Sequence, residues 1–303
     1  MKKIILLLLL SITTSLTAQQ DAQYTQYQYN TLVLNPAYAG SRDAWSGTVF
    51  YRSQWMEIEG APTNIGVSLH TPFKERVGLG ATLETDEIGP IQTYNLSANY
   101  AYQIPLAKGK LSFGLKASVM SYNANYSKTQ TVTQGDEAFQ DDVNLWLPNF
   151  GAGIYYFSEN FVVGLAAPHL LESKLVNNQS SGVQKASSLE RHYYATAGAI
   201  FPITPQLKLK PMMLVKYIID NPLSIDIGAI LLLKDVFGIG VSYRTNNAWN
   251  FNVLYQLKNG WRIAYAYDYA TTAINQFSTG SHELMLGIDL PKERTNVITP
   301  RYF

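Results

Sequence analysis

The sequence contains no cysteine among its 303 residues, so neither disulfide bonds nor thiolate metal sites are available. Its 23 basic and 22 acidic residues nearly cancel, which leaves no electrostatic footprint for nucleic acid. Beyond the first residues it also lacks long apolar runs: the richest, Ala229 to Leu233, is far short of the roughly 20 residues that a membrane-spanning helix needs. A membrane location would therefore require a closed β-barrel, because an open sheet leaves backbone groups unpaired in lipid.

Residue types used in catalysis and metal binding are present, but their spacing does not suit either role. The histidines lie in four separate segments without metal-ligand spacing, and no serine lies in a G-x-S-x-G motif. A cluster of acidic residues lacks the spacing of a calcium loop, so we interpret it as a solvated loop, with calcium binding as the alternative. We predict a protein that is not an enzyme and has no cofactor or metal. The histidines are His70, His169, His192 and His282, and the acidic cluster is Asp136, Glu137, Asp141 and Asp142.

The first 18 residues have the three parts of a secretory signal peptide. Lys2 and Lys3 precede an apolar stretch from Ile4 to Leu10, and small and polar residues follow up to Ala18. The apolar stretch is too short for a membrane anchor. We predict that the chain is exported and cleaved near Gln19.

An alternation of apolar and polar residues with period 2 dominates the stretch from Val236 to Asp268. Trp249 and Phe251, for example, flank Asn250. Because side chains alternate across a strand, three such runs joined by tight turns such as Asn259-Gly260 predict an antiparallel meander. Period 2 alone does not say which face is outside, since a soluble barrel hides its apolar face and an outer-membrane barrel turns it to lipid.

The connections and the polar face decide between these two architectures. The same pattern predicts 14 strands, and their long connections, including Thr85 to Ile91, Asn123 to Pro148 and Leu170 to Arg191, fall on one rim while tight turns fall on the other. Charges on the face opposite the apolar one would be prohibitive in a dry core, whereas a wet lumen accommodates them. We therefore predict an all-β fold: a transmembrane antiparallel outer-membrane barrel of about 14 strands with extracellular long loops. Those charged residues are Lys208, Lys210, Lys216, Asp226, Arg244, Arg262, Asp268 and Glu283.

The stretch from Gln19 to Arg42 differs from the rest, because it is rich in Gln, Tyr and Asn and lacks an alternating apolar face. We predict an irregular segment that folds into the lumen as a plug, with a frayed periplasmic tail as the alternative. The domain prediction is a signal peptide at 1–18, the irregular segment at 19–43, the barrel at 44–290 and a C-terminal tail at 291–303.

Several short motifs resemble the PorP/SprF family of type IX secretion system membrane proteins. The opening stretch around Gln23 to Gly40, the R-x-Q-W sequence at Arg52, Gly60-Ala61-Pro62-Thr63, the Gly280 to Glu283 motif and the C-terminal residues carry this resemblance, which covers essentially the mature chain. The matching positions are Gln23, Gln26, Tyr27, Asn30, Asn35, Pro36, Gly40, Arg52, Gln54, Trp55, His282, Glu283, Arg301, Tyr302 and Phe303.

The resemblance implies an outer-membrane protein of the Bacteroidetes phylum that takes part in type IX secretion and, in some members, supports gliding motility. Expected partners are outer-membrane lipid, the C-terminal domain of a secreted adhesin and other type IX secretion components. The alternative is a small-molecule channel or a hydrophobic-solute transporter of the long-chain fatty-acid type. Phe303 resembles the terminal aromatic residue read during barrel assembly, and the strand from His282 to Leu290 is the alternative signal.

Within this framework the individual residues have predicted roles. Arg52 and Gln54 share the luminal face of the first strand, with Trp55 at its outer end on the opposite face. Exposed Phe139 and Trp146 are the predicted anchors for a protein partner, since buried aromatic residues carry a large share of interface energy. A position of Trp146 at the level of the lipid headgroups is the simpler alternative.

Overall fold

The computed structural model describes residues 23–128, 142–174, 188–245 and 247–291. Their main feature is one large antiparallel sheet that closes on itself. In these ranges, no helix has the length and hydrophobicity needed to cross a membrane.

Short turns and long strands alternate along the chain. The strands are β1 Ala44–Ser53, β2 Thr63–Lys74, β3 Val77–Ile88, β4 Ile91–Leu106, β5 Gly109–Ala124, β6 Val143–Phe157, β7 Phe161–Ala167, β8 Ser173–Lys174, β9 Ser188–Leu189, β10 His192–Ala199, β11 Phe201–Thr204, β12 Leu207–Ile218, β13 Ser224–Leu233, β14 Phe237–Arg244, β15 Ala248–Gln256, β16 Trp261–Ala270 and β17 Ser281–Pro291. In the part of the chain that the structure describes, five 3-10 turns accompany them, at Tyr27–Tyr29, Thr31–Val33, Pro36–Tyr38, Tyr126–Lys128 and Ala273–Gln276.

The sheet closes because β1 pairs with both β2 and β17, while β10 pairs with both β7 and β12. β10 and β11 are two parts of one wall strand, interrupted at the buried Ile200. Counted as one, they give a closed barrel of 14 strands, so the predicted fold is confirmed. β8 and β9 form a separate small hairpin in the connection between β7 and β10.

The large apolar side chains of the wall point outward. Leu115, Ile239 and Phe251 are between 49% and 63% exposed, while their polar neighbours along the same strands are buried. Period 2 therefore separates a lipid-facing surface from a polar interior, as in outer-membrane barrels. Strands β1, β3, β5 and β7 end at the rim that bears the longest connections, here the long-loop rim, and the opposite end is the short-turn rim.

The interior differs from the prediction, because much of the lumen is dry and filled. Near the short-turn rim, residues of the N-terminal segment such as Leu32 and Tyr38 pack with luminal side chains of the wall, including Phe50, Phe157 and Met285. The luminal charges predicted to lie in water are instead largely buried, and several are paired within the protein. The reason is that residues 25–41 occupy the space that water was expected to fill.

Two predicted loops are in part strand. β3 and β4 continue to a two-residue turn at Gly89-Pro90 where a longer loop was predicted, and β6 begins at Val143 where the loop was predicted to reach Pro148. In the second case both faces of the strand are apolar: Leu145 and Leu147 point inward and Trp146 points outward. This double pattern hides the period of 2 on which the prediction rested.

Candidate functional site

Residues 23–42, here called the luminal segment, run through the barrel interior before the chain enters β1. They form three 3-10 turns, and every residue from 25 to 41 is buried. The asparagine and proline residues of this stretch favour turns over strands. The side chain of Asn35, for example, accepts a hydrogen bond of 3.0 Å from the backbone N–H of Ala37 and begins the third turn.

An ion cluster near the long-loop rim holds the start of this segment. Arg52 on β1 lies 2.7 Å from Asp268 on β16 (Nη2 to Oδ2) and 3.1 Å from Glu283 on β17 (Nη1 to Oε2). The hydroxyl of Thr25 donates to Asp268 at 2.7 Å, and the backbone N–H groups of Thr25 and Gln26 donate to Glu283 at 2.8 and 3.0 Å. These three charged side chains, here called the Arg52 cluster, are at most 4% exposed. They fix the segment to three wall strands.

A second group of contacts fixes the other end of the segment at the short-turn rim. Arg42 Nη1 lies 2.7 Å from Asp289 Oδ2, and Arg42 Nε donates to the Tyr38 hydroxyl at 2.7 Å. Burial acts to lower the pKa of Arg42, but the Asp289 carboxylate and Tyr38 outweigh it and raise this pKa above its usual value. Arg262 also reaches Asp289, at 3.3 Å. The charge on Arg42 is therefore kept, and the segment is tied to β17 where it continues into β1.

Two glycines allow the luminal segment to touch the wall at this end. Gly40 has a φ of +70°, and a Cβ on it would lie 2.7 Å from the Cα of Gly78 on β3. A Cβ on Gly78 would lie 2.0 Å from the carbonyl oxygen of Ala39. Neither position tolerates a side chain without moving the backbone of the segment.

Replacing Gly78 with alanine should therefore lift this end of the segment from the wall and destabilise the protein by about 1–3 kcal/mol or more, the usual range for overpacking a tight interior. The matched control is Gly47→Ala on β1, where the new Cβ would meet only the ends of the Leu69 and Ile288 side chains, at 3.2 and 3.5 Å. Urea unfolding in detergent micelles measures both variants. Equal stability of the two variants would contradict this close contact.

Between the luminal segment and the long-loop rim, a cavity of about 230 Å³ remains open. The segment contributes Tyr24 and Leu34 to its lining, and β5 contributes Met120, Tyr122 and the basic Lys116. Carboxylates on β3 also line it, together with residues just after β7 and around the start of β10. The lining is therefore partly apolar and partly polar. The volume is below the roughly 300 Å³ at which ligand pockets usually begin, so it suits a small group or the end of a chain.

Within the described residues, the pairing of neighbouring wall strands stops short of the same rim where β7 ends and β10 begins. β6 pairs with β7 only over Ala152–Phe157, although β6 itself continues to Val143. Beyond that ladder, the backbone N–H of Leu170 donates to the carbonyl of Phe150 at 2.8 Å, and its N–H also lies 3.0 Å from Asn149 Oδ1. On one side the whole of β6 pairs with β5, but among the described residues no strand pairs with the other side of its upper part, which leaves an exposed strand edge there.

The structure brings many of the motif residues together along the luminal segment and its contacts. Gln26, Arg52 and Glu283 meet at the Arg52 cluster. Further contacts are made by three amides and by one tyrosine. Gln23 accepts hydrogen bonds from Arg244 and Asn247, Asn30 accepts one from Ser68, Asn35 donates to the carbonyl of Ile154, and Tyr27 packs against Leu34, Tyr194 and Leu214. Pro36 and Gly40 shape the third turn and its exit, and Gln54 is buried just after β1.

Other predicted residues lie elsewhere. β1 ends at Ser53, so the prediction that Trp55 ends this strand is wrong: its φ of +52° turns the chain away from the ladder. His282 points outward, with Nδ1 2.6 Å from the Tyr265 hydroxyl. Trp146 lies on the outer face of β6 and is 73% exposed. Phe139, Arg301, Tyr302 and Phe303 lie outside the described residues.

A closed antiparallel barrel with an apolar exterior and polar luminal groups defines an outer-membrane β-barrel protein. The family model described as "Type IX secretion system membrane protein PorP/SprF" matches residues 16–288. The chain therefore belongs to the PorP/SprF family, which confirms the resemblance.

This chain is also similar to solved structures. A Pseudomonas aeruginosa FadL homologue is 11% identical, with 91% of this chain and 96% of that chain covered at a TM-score of 0.50. Omp33 of Acinetobacter baumannii is 8% identical over 82% of this chain and 99% of that chain, with a TM-score of 0.47. The CymD monoaromatic hydrocarbon channel is 13% identical over 88% and 92% of the two chains, with a TM-score of 0.47. The curated proteins contain no match to this chain.

Proposed function

We propose that this protein is a non-enzymatic accessory of type IX secretion that binds a secreted adhesin-type protein, through its C-terminal domain, at the long-loop rim. Membership of the PorP/SprF family supports a place in this secretion system. The observation that carries the proposal is the filled lumen: residues 25–41 are buried inside the barrel, and the luminal segment is held at its start by hydrogen bonds to the Arg52 cluster and at its end by the ion pair of Arg42 with Asp289.

A filled lumen argues against a role as the export conduit. A folded domain would have to displace the luminal segment, which removes the hydrogen bonds of Thr25 and Gln26 to the Arg52 cluster and breaks the ion pair of Arg42 with Asp289. Breaking a buried ion pair costs about 3–5 kcal/mol, so the segment acts as a fixed part of the barrel. This leaves the long-loop rim as the surface for a partner.

The rim offers two features for binding a protein. The upper part of β6 has an exposed strand edge, and an extended segment of a partner can add to such an edge through backbone hydrogen bonds. Trp146 projects from the outer face of the same strand. An aromatic anchor beside an open edge is suited to holding a partner at the cell surface.

Replacing Trp146 with alanine should weaken retention of the secreted partner by about 2 kcal/mol, or roughly 30-fold, if this residue is an interface anchor. The matched control is Trp249→Ala, because Trp249 is also outward-facing near the long-loop rim but lies on β15, away from the β6 edge. Capture on the wild-type protein from solubilised outer membrane identifies the partner, and its surface amount is then compared in cells carrying each variant. Equal effects of the two variants would assign Trp146 to the lipid interface and leave the rim without this anchor. Phe139→Ala extends the test.

The second candidate function is a channel or transporter for small hydrophobic solutes. The luminal cavity and the incomplete wall beside β6 favour it, because together they offer a small molecule a site and a side opening. Liposome swelling separates the two functions. Rapid solute flux through the intact protein supports transport, whereas loss of a surface adhesin on gene deletion with unchanged solute uptake supports the accessory role.

A further inference from the structure

The luminal cavity contains a buried cation without a counterion. Lys116 is 3% exposed, lies in the ladder between Asn99 and Gly151, and lines the cavity. Among the described residues it has no hydrogen bond or ion pair. A buried ammonium group is costly unless it is paired, so a partner of negative charge is needed to complete this site.

Two carboxylates of the cavity lining are engaged by neighbouring side chains. Glu84 on β3 accepts hydrogen bonds from the hydroxyls of Tyr24, at 2.8 Å, and Thr82, at 3.0 Å. Asp86, two residues further along β3, accepts one from the side-chain amide of Asn64. No group of three or more His, Asp or Glu side chains in the described ranges is arranged to hold a metal ion.

The surroundings of Lys116 change in character along β5. The luminal positions that follow it towards the long-loop rim are Ser118, Met120 and Tyr122, and Tyr122 packs there with the inward-facing Leu145 and Leu147 of β6. A charged group at the bottom of the cavity and an apolar wall above it match a molecule with an anionic end and an apolar body. The orientation follows from this order: the negative end lies at Lys116 and the apolar part extends towards the rim.

The cavity also offers hydrogen-bonding groups near its base. Asn95 lines it, and the Oδ1 atoms of Asn95 and Asn99 are buried without a hydrogen-bond partner among the described residues. These two oxygens only accept hydrogen bonds and are not satisfied by an ionised carboxylate, so the demand for negative charge rests on Lys116. The volume of about 230 Å³ admits only the end of a chain.

We propose that this cavity binds the carboxylate end of an apolar chain, with the ammonium group of Lys116 as the counterion. Such an end occurs in a fatty acid and at the C-terminus of a polypeptide with apolar last residues. The inference goes beyond the proposed secretion role and does not depend on it, because it concerns binding to the isolated protein.

The test uses the full chain in lipid nanodiscs with two labelled probes, decanoate and an N-acetylated tetrapeptide that ends in leucine with a free carboxyl group. Retention is compared with empty nanodiscs and with the neutral analogues decanol and the tetrapeptide amide. We expect at least one carboxylate probe to be retained about tenfold better than its neutral analogue, since a hydrogen bond to a charged group contributes about 1.5–3 kcal/mol. Retention of decanoate alone identifies a fatty-acid-like source, and retention of the peptide identifies a chain terminus.

Lys116→Met removes the charge and keeps the length of the side chain, and it should abolish the preference for the carboxylate probe. The matched control is Lys216→Met, because Lys216 is also a buried luminal lysine but does not line this cavity. Equal retention of carboxylate and neutral probes by the wild-type protein would overturn the proposal, and this comparison needs no variant to fold. Unchanged carboxylate preference in Lys116→Met would overturn it as well.

Discussion

Replacing Arg52 with methionine should destabilise the barrel by about 3–5 kcal/mol, the usual cost of removing one partner from a buried ion pair. The guanidinium group faces two carboxylates, Asp268 and Glu283, and all three side chains are at most 4% exposed. Without it, two negative charges would remain buried close together with only neutral donors from Thr25 and Gln26. The start of the luminal segment should be released, since hydration of the carboxylates requires water to enter where the segment now lies.

Urea unfolding in detergent micelles measures this change, and the control is Arg76→Met, which removes an exposed arginine from the turn between β2 and β3. The free energy of unfolding of the control should lie within about 0.5 kcal/mol of the wild-type value, as is usual for surface substitutions. A second variant combines Arg52→Met with Glu283→Gln. It should recover part of the lost stability, because one uncompensated charge is removed. Equal stability of Arg52→Met and Arg76→Met would show that the Arg52 cluster does not hold the segment.

The wall of the barrel was predictable because lipid imposes a simple rule on it. A strand that faces lipid on one side and a polar interior on the other must alternate, so the run around Trp249 and Phe251 predicts its own two faces from sequence alone. Strand ends were predicted as loops where both faces are apolar, as at Leu145, Trp146 and Leu147 on β6. There the inner face packs against other residues at the rim, and the period of 2 disappears from the sequence.

The interior was less predictable, because its contacts join residues that are far apart in the chain. Arg52 and Glu283 are separated by 231 positions, and Thr25 and Asp268 by 243. Their residue types show that they belong inside, but only the closure of the barrel and the path of the luminal segment place them together. Lys116 was not among the predicted luminal charges, although it lies in phase with the luminal residues Gly114 and Ser118 of the same strand. Its position in this alternation was the sequence signal that could have placed Lys116 in the lumen.

Deleting residues 23–42 should give a barrel that folds and conducts ions. The wall does not depend on the segment for its backbone hydrogen bonds, since every neighbouring pair from β1 to β17 is joined by its own ladder. The luminal charges that lose partners, including Arg52 and Glu283, would become hydrated because removal of the segment opens the lumen to water. We therefore expect the deletion variant in a planar lipid bilayer to give discrete open-channel current steps, where the intact protein gives only the baseline current. Conductance equal to that of the intact protein would show that the luminal segment is not the barrier.

A synthetic peptide with the sequence of residues 23–42 supplies the matched control for this deletion. Added to the deletion variant during refolding, it should restore the contacts of Thr25 and Gln26 with the Arg52 cluster and of Arg42 with Asp289, and it should close the pore. A peptide with Arg42 replaced by methionine should block less well, because Asp289 would lose its shortest ion pair, of 2.7 Å. Closure by the native peptide alone would attribute the barrier to the specific fit of this segment, whereas equal closure by both peptides would attribute it to bulk that fills the lumen.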